Sequence, residues 1–445
     1  MAPSQNGISS ARQSTTGRIN ELISALGLEA AHFGTSAPME LATLIAERPS
    51  AVASLSLLNA SRFPLAALSG MADRMVVFSG DGGLCGEACQ AARPSIAGAR
   101  FVEFGEYPSA IWTDMAADHA DRIADEMLSF LAKQDAARPA TRLTDDQDKG
   151  SVGGITYDVT GTGPALLLFP AMLAPSQWDL VVDRLSKSYA VVRLGGPHLG
   201  AVAVFEDRGK DRSYRRVLRG MLEDARVSPS DRLLEVGCGS GVISRWIAKE
   251  GFCSTPVVAS DMNPFLLKEA RALSEAEGLG GRIKFEAANA EALPFEDDSF
   301  EIVLAVTVIE ECDADKAIAE MVRVLKPGGR IALKVRACDM NLVWNLPVDP
   351  SIKAKAEEPI KQVAAGGCAD ASLWPRLRKA GLADIVAYPT FHGSAALGTY
   401  YEPIALSRLD AEEKDLWQRA KEIAIADGTF CVMHPAHCAV GTKPT

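Results

Sequence analysis

The densest chemical pattern in the chain is Glu235-Val236-Gly237-Cys238-Gly239-Ser240-Gly241, an acid followed by glycines at every second position. Glycine lets a backbone turn sharply and approach a ligand with no Cβ in the way, and a helix N-terminus just behind such a turn favours a carboxylate. A nicotinamide or flavin dinucleotide turn would need its third glycine at 242, where the chain has Val242. Asp261 follows 26 residues after Glu235, at the end of the next apolar run. There its carboxylate is placed to accept both ribose hydroxyls of a nucleoside, with Met262 against the adenine face. A third stretch runs Asn289-Ala290-Glu291-Ala292-Leu293-Pro294-Phe295, then Asp298-Ser299-Phe300, and later Leu325-Lys326-Pro327-Gly328-Gly329. Each piece has a plain structural reading: a tight connection for the glycines, a helix N-cap for Asp261, a turn former in Asn289. Their ordered recurrence after successive strands is what points to one ligand site.

The elements that must position these residues alternate at the spacing of βα units, which predicts a mostly parallel sheet covered on both faces. Arg232 to Val236, Pro256 to Ser260, the RIKFEAA run, Glu301 to Ile309 and GRIALKV read as strands. VISRWIAKE, PFLLKEARALSEAEG and KAIAEMVRVL read as helices between them.

Together these stretches resemble the class I S-adenosylmethionine-dependent methyltransferases, in particular the group with an LPF motif and an RVLKPGG turn. The resemblance covers about Val227 to Pro444, with His434 to Pro444 as an antiparallel last strand. It implies S-adenosylmethionine as cofactor, with Gly237, Cys238, Gly239 and Gly241 lining its methionine part and Glu235 near its amino group. It implies further that Asp261 takes the ribose, Asn289 and Ala290 contact the adenine, and Val306 faces the sulfonium. The family commonly has Asp where this chain has Asn289, whose amide oxygen still accepts a hydrogen bond.

Methyl transfer mainly asks a protein to align nucleophile and methyl group and to exclude water; a base is needed only if the nucleophile must lose a proton. Glu310 and Glu311 after the fourth strand, and His392, His434 and His437 near the last strands, are the candidates, and the catalytic group is left unassigned. The insertion Ala337 to Pro375 holds Asp339, Met340, Trp344, Asn345 and Trp374, which suit either a flat apolar substrate or simple packing. Cys338 and Cys368 lack companions for a metal site, so no metal is expected.

The bulk numbers bound the partners. With 46 basic and 57 acidic residues in 445, a net charge of −11, the chain has no basic footprint for nucleic acid. A small-molecule methyl acceptor is expected, with no membrane partner, and a homodimer is retained as an assembly. The polar start shows no signal-peptide pattern, and nine scattered cysteines fit a reducing compartment, so a cytoplasmic location is expected.

In the N-terminal half, Gly34-Thr35-Ser36-Ala37-Pro38 follows a strand-like run, and MVVFSGDGG brings Asp81 to the end of another. Residues 17 to 135 resemble the second half of an α/β-hydrolase, with Ser36 at the nucleophile position and Asp81 at the acid position. No histidine stands near Glu106 to Ser109 where the family has its base, and His119 falls in the next helical pattern. Ile155 to Gly196 is similar to that family's opening strands and first helix, with Pro170-Ala171 where a His-Gly pair often begins the oxyanion loop. The expectation is a circularly permuted, inactive domain in which 153–204 pairs with 17–135 through a linker at 136–150; two unrelated fragments are the alternative.

The expected fold class is therefore α/β throughout. A doubly wound Rossmann-like methyltransferase sheet covers 212–445, and an α/β-hydrolase-like domain covers 17–204. A second composition change, EDRGKDRS at Glu206 to Ser213, marks the boundary between them. The rival functions are a bifunctional methyltransferase and ester hydrolase, and a non-catalytic S-adenosylmethionine-binding regulator.

Overall fold

The structure, a computed structural model, describes residues 14–109, 113–144, 149–196, 198–361, 363–394 and 397–445. The chain divides into two compact units, Met1–Ala203 and Val204–Thr445. No described helix is long and apolar enough to cross a membrane.

The first unit is built on strands β1 (Ala31–Thr35), β2 (Val52–Leu58), β3 (Met75–Gly82), β4 (Arg100–Pro108), β5 (Arg142–Leu143), β6 (Lys149–Val152), β7 (Ile155–Thr160), β8 (Gly163–Leu168) and β9 (Ala190–Gly195). Their order in the sheet is β4-β3-β2-β1-β8-β9-β7-β6, with β5 beside β8. β1, β2 and β8 are buried along their whole length, as strands covered on both faces must be. β1 pairs in parallel with β8, His32 opposite Leu166, so the earlier and later segments of this unit make one sheet. The stretch expected as a linker, 136–150, carries β5 and the start of β6, and both pair with the second half; residues 145–148 lie outside the described set. The helix Ala120–Ala137 packs Ile123, Met127, Phe130 and Leu131 onto the sheet at the three- and four-residue spacing of one helical face.

The second unit contains β10 (Leu233–Val236), β11 (Val257–Asp261), β12 (Ile283–Ala287), β13 (Phe300–Val306), β14 (Leu325–Arg336), β15 (Val343–Trp344), β16 (Ala383–Ser394) and β17 (Val432–Thr442). The order is β12-β11-β10-β13-β14-β17-β15, and β16 also pairs with β17. β12 through β14 run parallel, and β17 enters antiparallel to β14, as the family resemblance implied. Connections leave β10 toward β11 on one side and return to β13 on the other. The crevice at the carboxyl ends of β10 and β13 is thus the topological switch point, where open α/β sheets bind ligands.

One expectation is corrected. The fourth strand ends at Val306 rather than Ile309, because Thr307 turns to φ 56°. The charged run at Glu206–Ser213 spans the junction of two helices: Gly200–Lys210 ends within it, and Asp211 caps the helix Arg212–Asp224 by accepting the Tyr214 N–H at 2.9 Å. Locally the run reads as solvated charge; tertiary partners decide otherwise.

Candidate functional site

The glycine turn leaves β10 at the switch point. Gly237 takes φ 71°, and a Cβ there would come within 2.3 Å of the Val308 side chain; Gly239 takes φ 54°, and a Cβ would press on the Phe205 ring at 3.1 Å. These left-handed positions exclude side chains and bring backbone to the surface of the crevice. The Gly239 N–H donates to Asp261 Oδ2 at 2.8 Å, and the Asn263 N–H to Oδ1 at 2.9 Å, so the acid that ends β11 anchors the turn after β10. The helix Val242–Glu250 starts directly behind Gly241.

A buried ionic network holds the turn from beneath. Arg245 donates to both oxygens of Glu206 at 2.6 and 2.7 Å and to the Ser240 carbonyl at 2.6 Å, while Ser240 Oγ donates to Glu206 at 2.7 Å. Neither Glu206 nor Arg245 was singled out in the sequence. A signal was present: Val202, Phe205, Glu206 and Gly209 form the i, i+3, i+4, i+7 stripe of an inward helix face, with a carboxylate inside it. Inward charge on such a stripe demands a partner.

The other expected cofactor residues fall around this crevice with differing roles. Asp261 is buried, and burial pushes its carboxyl above the ordinary range, opposed by the N–H groups it accepts. Met262 beside it is 72% exposed, an open apolar surface. Asn289 is exposed, its side-chain oxygen accepting the Glu291 N–H at 2.9 Å, with Ala290 half-buried next to it. Val306 closes β13, buried. The Cys238 thiol is buried in a cluster with Ala259, Leu267 and Ile283. Glu235 is fully buried and accepts the Ser244 hydroxyl rather than opening to solvent.

Burial pushes Glu235 from 4.5 up to about 8, opposed by the Ser244 hydrogen bond. Between those values the unfolded chain releases the proton and the folded chain keeps it, so stability present at low pH is lost as pH rises through that window. Glu235→Gln is expected to flatten this loss, by at most a few kcal/mol at ~1.4 kcal/mol per pKa unit. Denaturant midpoints at the two ends of the window read it, and equal pH slopes for parent and variant would refute it.

Of the candidate bases, the structure brings Glu310, His392 and His434 inward, leaves Glu311 exposed and sets His437 between, partly buried. Glu310, His392 and His434 are buried, and the rings of the two histidines lie 5.3 Å apart. Glu311 is exposed and takes an Arg336 N–H at 2.6 Å; His437 pairs with Asp339 at 2.8 Å, an exposed acid of the insertion. The insertion's aromatics do not share one pocket: Trp344 packs edge-on against Trp417 at 5.0 Å, whereas Trp374 is 48% exposed under Arg378. Asn345 ties to the Thr429 carbonyl at 2.7 Å, and Met340 is half-buried. No group of His, Cys, Asp and Glu that could hold a metal occurs among the described residues.

In the first unit, Ser36 is buried after β1, and its hydroxyl donates to the Pro170 carbonyl at 3.4 Å. Asp81 is exposed at the end of β3 and accepts the Glu106 and Tyr107 N–H groups at 2.6 and 3.0 Å. His119 stacks on Phe104, ring centroids 4.2 Å apart.

Residues 234–333 match the family described as a methyltransferase domain. Methyltransferase GfsG of Streptomyces halstedii is 36% identical over 119 residues, 26% of this chain and 42% of that protein. The ubiquinone/menaquinone biosynthesis C-methyltransferase UbiE of Marinomonas sp. is 38% identical over 123 residues, 26% of this chain and 47% of that one. Its namesake in Shewanella halifaxensis is 34% identical over 119 residues, 26% and 47%. Each alignment spans less than half of the relative's own length. The C-terminal unit carries a methyltransferase domain of the class that draws its methyl group from S-adenosylmethionine.

Proposed function

We propose that the chain transfers a methyl group from S-adenosylmethionine to a small-molecule acceptor. The observation that carries this reading is the Gly239 N–H to Asp261 hydrogen bond, 2.8 Å, which joins the glycine turn and the acid into one cradle at the switch point. In this reading the backbone of Gly237, Cys238, Gly239 and Gly241 surrounds the methionine part. Asp261 accepts the ribose hydroxyls, Met262 covers the adenine, and Asn289 and Ala290 read its edge. Glu235 lies behind the turn near the cofactor's amino group, and Val306 borders the reacting methyl. When bound, the cofactor supplies an activated methyl group on a positively charged sulfur. The chain's own part is to hold donor and acceptor in line and keep water out.

The test is titration calorimetry of the full chain with S-adenosylmethionine and S-adenosylhomocysteine, followed by tritium transfer from labelled donor to fractionated metabolites. Saturable binding with labelled product supports the reading. Binding with no product favours a cofactor-sensing regulator, and no binding removes the proposal.

For the N-terminal unit we propose a circularly permuted α/β-hydrolase-like domain without hydrolase activity. Its support is the strand order, in which the later segment supplies β6 to β9 beside the earlier β1 to β4. The absence of activity is supported by what surrounds Ser36: a carbonyl oxygen, itself an acceptor, where an oxyanion needs N–H donors, and no histidine bonded to it among the described residues. Ester turnover abolished by Ser36→Ala would favour the bifunctional rival.

A further inference from the structure

The buried polar groups where β14, β16 and β17 run together are not used by the donor cradle. Lys334, near the carboxyl end of β14, is 1% exposed, and no carboxylate among the described residues forms an ion pair with it. Its Nζ lies 5.2 Å from the Tyr214 ring centroid. His392 on β16 and His434 on β17 face each other in register, and the Tyr214 ring stands 5.1 Å from His392 while Tyr401 stacks on His434 at 4.6 Å. The Nδ1 atoms of both histidines and the Tyr214 hydroxyl are buried with no hydrogen-bond partner among the described residues. Glu310 spends one oxygen on the Arg336 N–H at 2.7 Å, and its other oxygen has no partner among the described residues.

A folded chain rarely buries so many unpaired polar atoms in one place unless something else satisfies them. Lys334 pairs with Val306 across β13 and β14, so both side chains leave the sheet on the same face, at the edge that holds the cradle. Burial draws the Lys334 ammonium down to about 8, with Arg208 adding to the effect, and draws both histidines below their usual range, with Lys334 adding to theirs. At neutral pH the Lys334 ammonium and the Arg208 guanidinium, 5.3 Å from the Tyr214 ring centroid, stand beside two neutral imidazoles and a phenol, while Glu310 acts on Lys334 through its charge but forms no ion pair with it among the described residues.

We propose, resting on the methyl-donor reading above, that this cluster is the acceptor pocket and that the acceptor is an oxyanion, a carboxylate or an acidic phenol or enol, methylated on oxygen. The ammonium of Lys334 faces the oxyanion, and Tyr214, His392 and His434 complete its hydrogen bonds. The acceptor oxygen forms the new O–C bond with its own lone pair while the donor's C–S bond breaks and that pair stays on sulfur. A cation and an anion give two neutral products, and no proton is left for the protein to remove. The pocket therefore needs no base, in keeping with histidines held neutral.

The experiment uses the full chain saturated with S-adenosylhomocysteine. It is titrated with para-nitrophenolate, followed by its absorbance, and with para-nitroanisole and para-nitrobenzylammonium as neutral and cationic isosteres. The phenolate is expected to bind at least about tenfold more tightly than either isostere. Lys334→Met is expected to remove that preference while S-adenosylhomocysteine affinity, measured by calorimetry, stays within about twofold. Equal binding of the three probes by wild-type protein, or no phenolate binding, overturns the proposal whether or not the variant folds. So does a Lys334→Met protein that loses the nucleoside but keeps the phenolate, since Lys334 would then serve the donor's carboxylate. If wild-type protein binds no S-adenosylhomocysteine, the donor reading fails by itself, and the probe preference of the unloaded protein still decides the charge of the pocket.

Discussion

Asp261→Ala is expected to weaken S-adenosylmethionine binding at least ~100-fold, the largest effect of any single truncation in the cradle. The carboxylate does two things at once. It holds the turn through the Gly239 N–H at 2.8 Å, and in the proposed complex it accepts the ribose hydroxyls. A hydrogen bond to a charged group contributes roughly 1.5–3 kcal/mol, and losing the two ribose bonds already gives about 3–6 kcal/mol before the turn relaxes. Asp261→Asn keeps the shape but halves the acceptor capacity and removes the charge, so an intermediate loss of about tenfold is expected. Gly239→Arg should abolish binding by a different route, since φ 54° and the Phe205 ring at 3.1 Å leave no room for a side chain. Calorimetry on variants whose near-ultraviolet dichroism matches wild type reads all three. An Asp261→Ala protein that binds within about threefold of wild type would take the ribose role away from this residue.

The second large effect is on stability. Arg245→Met is expected to cost the C-terminal unit about 3–5 kcal/mol, because it leaves the Glu206 carboxylate buried without its cation. Arg245 is 2% exposed and Glu206 3%, so water screens neither, and Arg245 also carries the Ser240 carbonyl and a 3.0 Å contact to Glu277. The denaturant midpoint is the measurement, taken on the transition that S-adenosylhomocysteine shifts, which identifies the unit that binds it. Joining Glu206→Leu to Arg245→Met should recover part of the loss, since the stranded charge is then gone. The single variant should also bind the cofactor less well, because Ser240 and the helix carrying Phe205 lose their tie to the turn. A loss below about 1 kcal/mol would mean the pair behaves as if exposed.

Much of the cradle was legible because local chemistry demands particular residues there. A turn at positive φ admits glycine almost alone, so Gly237, Gly239 and Gly241 announce it. Parallel strands covered on both faces must be short apolar runs, so β10 and β11 could be read nearly to the residue and β13 at its start. Asp261 and Met262 followed from counting to the end of the next such run. The antiparallel entry of β17 was implied by the family resemblance rather than by pattern.

Other features have no local signature. Glu206 sits in a run of charges that reads as solvated; its burial depends on Arg245, 39 residues away in sequence. Lys334 in GRIALKV reads as one polar residue in a strand. It is enclosed only because β16 and β17 bring His392 and His434 alongside and the helix Arg212–Asp224 adds Tyr214. Trp344 and Trp374 looked equivalent by type, yet one lies at the centre of a packed cluster and the other faces solvent. By itself the sequence determined the α/β order of the C-terminal unit, the glycine turn and the acid after the second strand, since each is set by backbone geometry and strand burial within a few residues. Only the tertiary structure decided which charges are buried and what faces them, because burial is a property of elements distant in sequence, and a charge acquires its cost and its partner only when they pack.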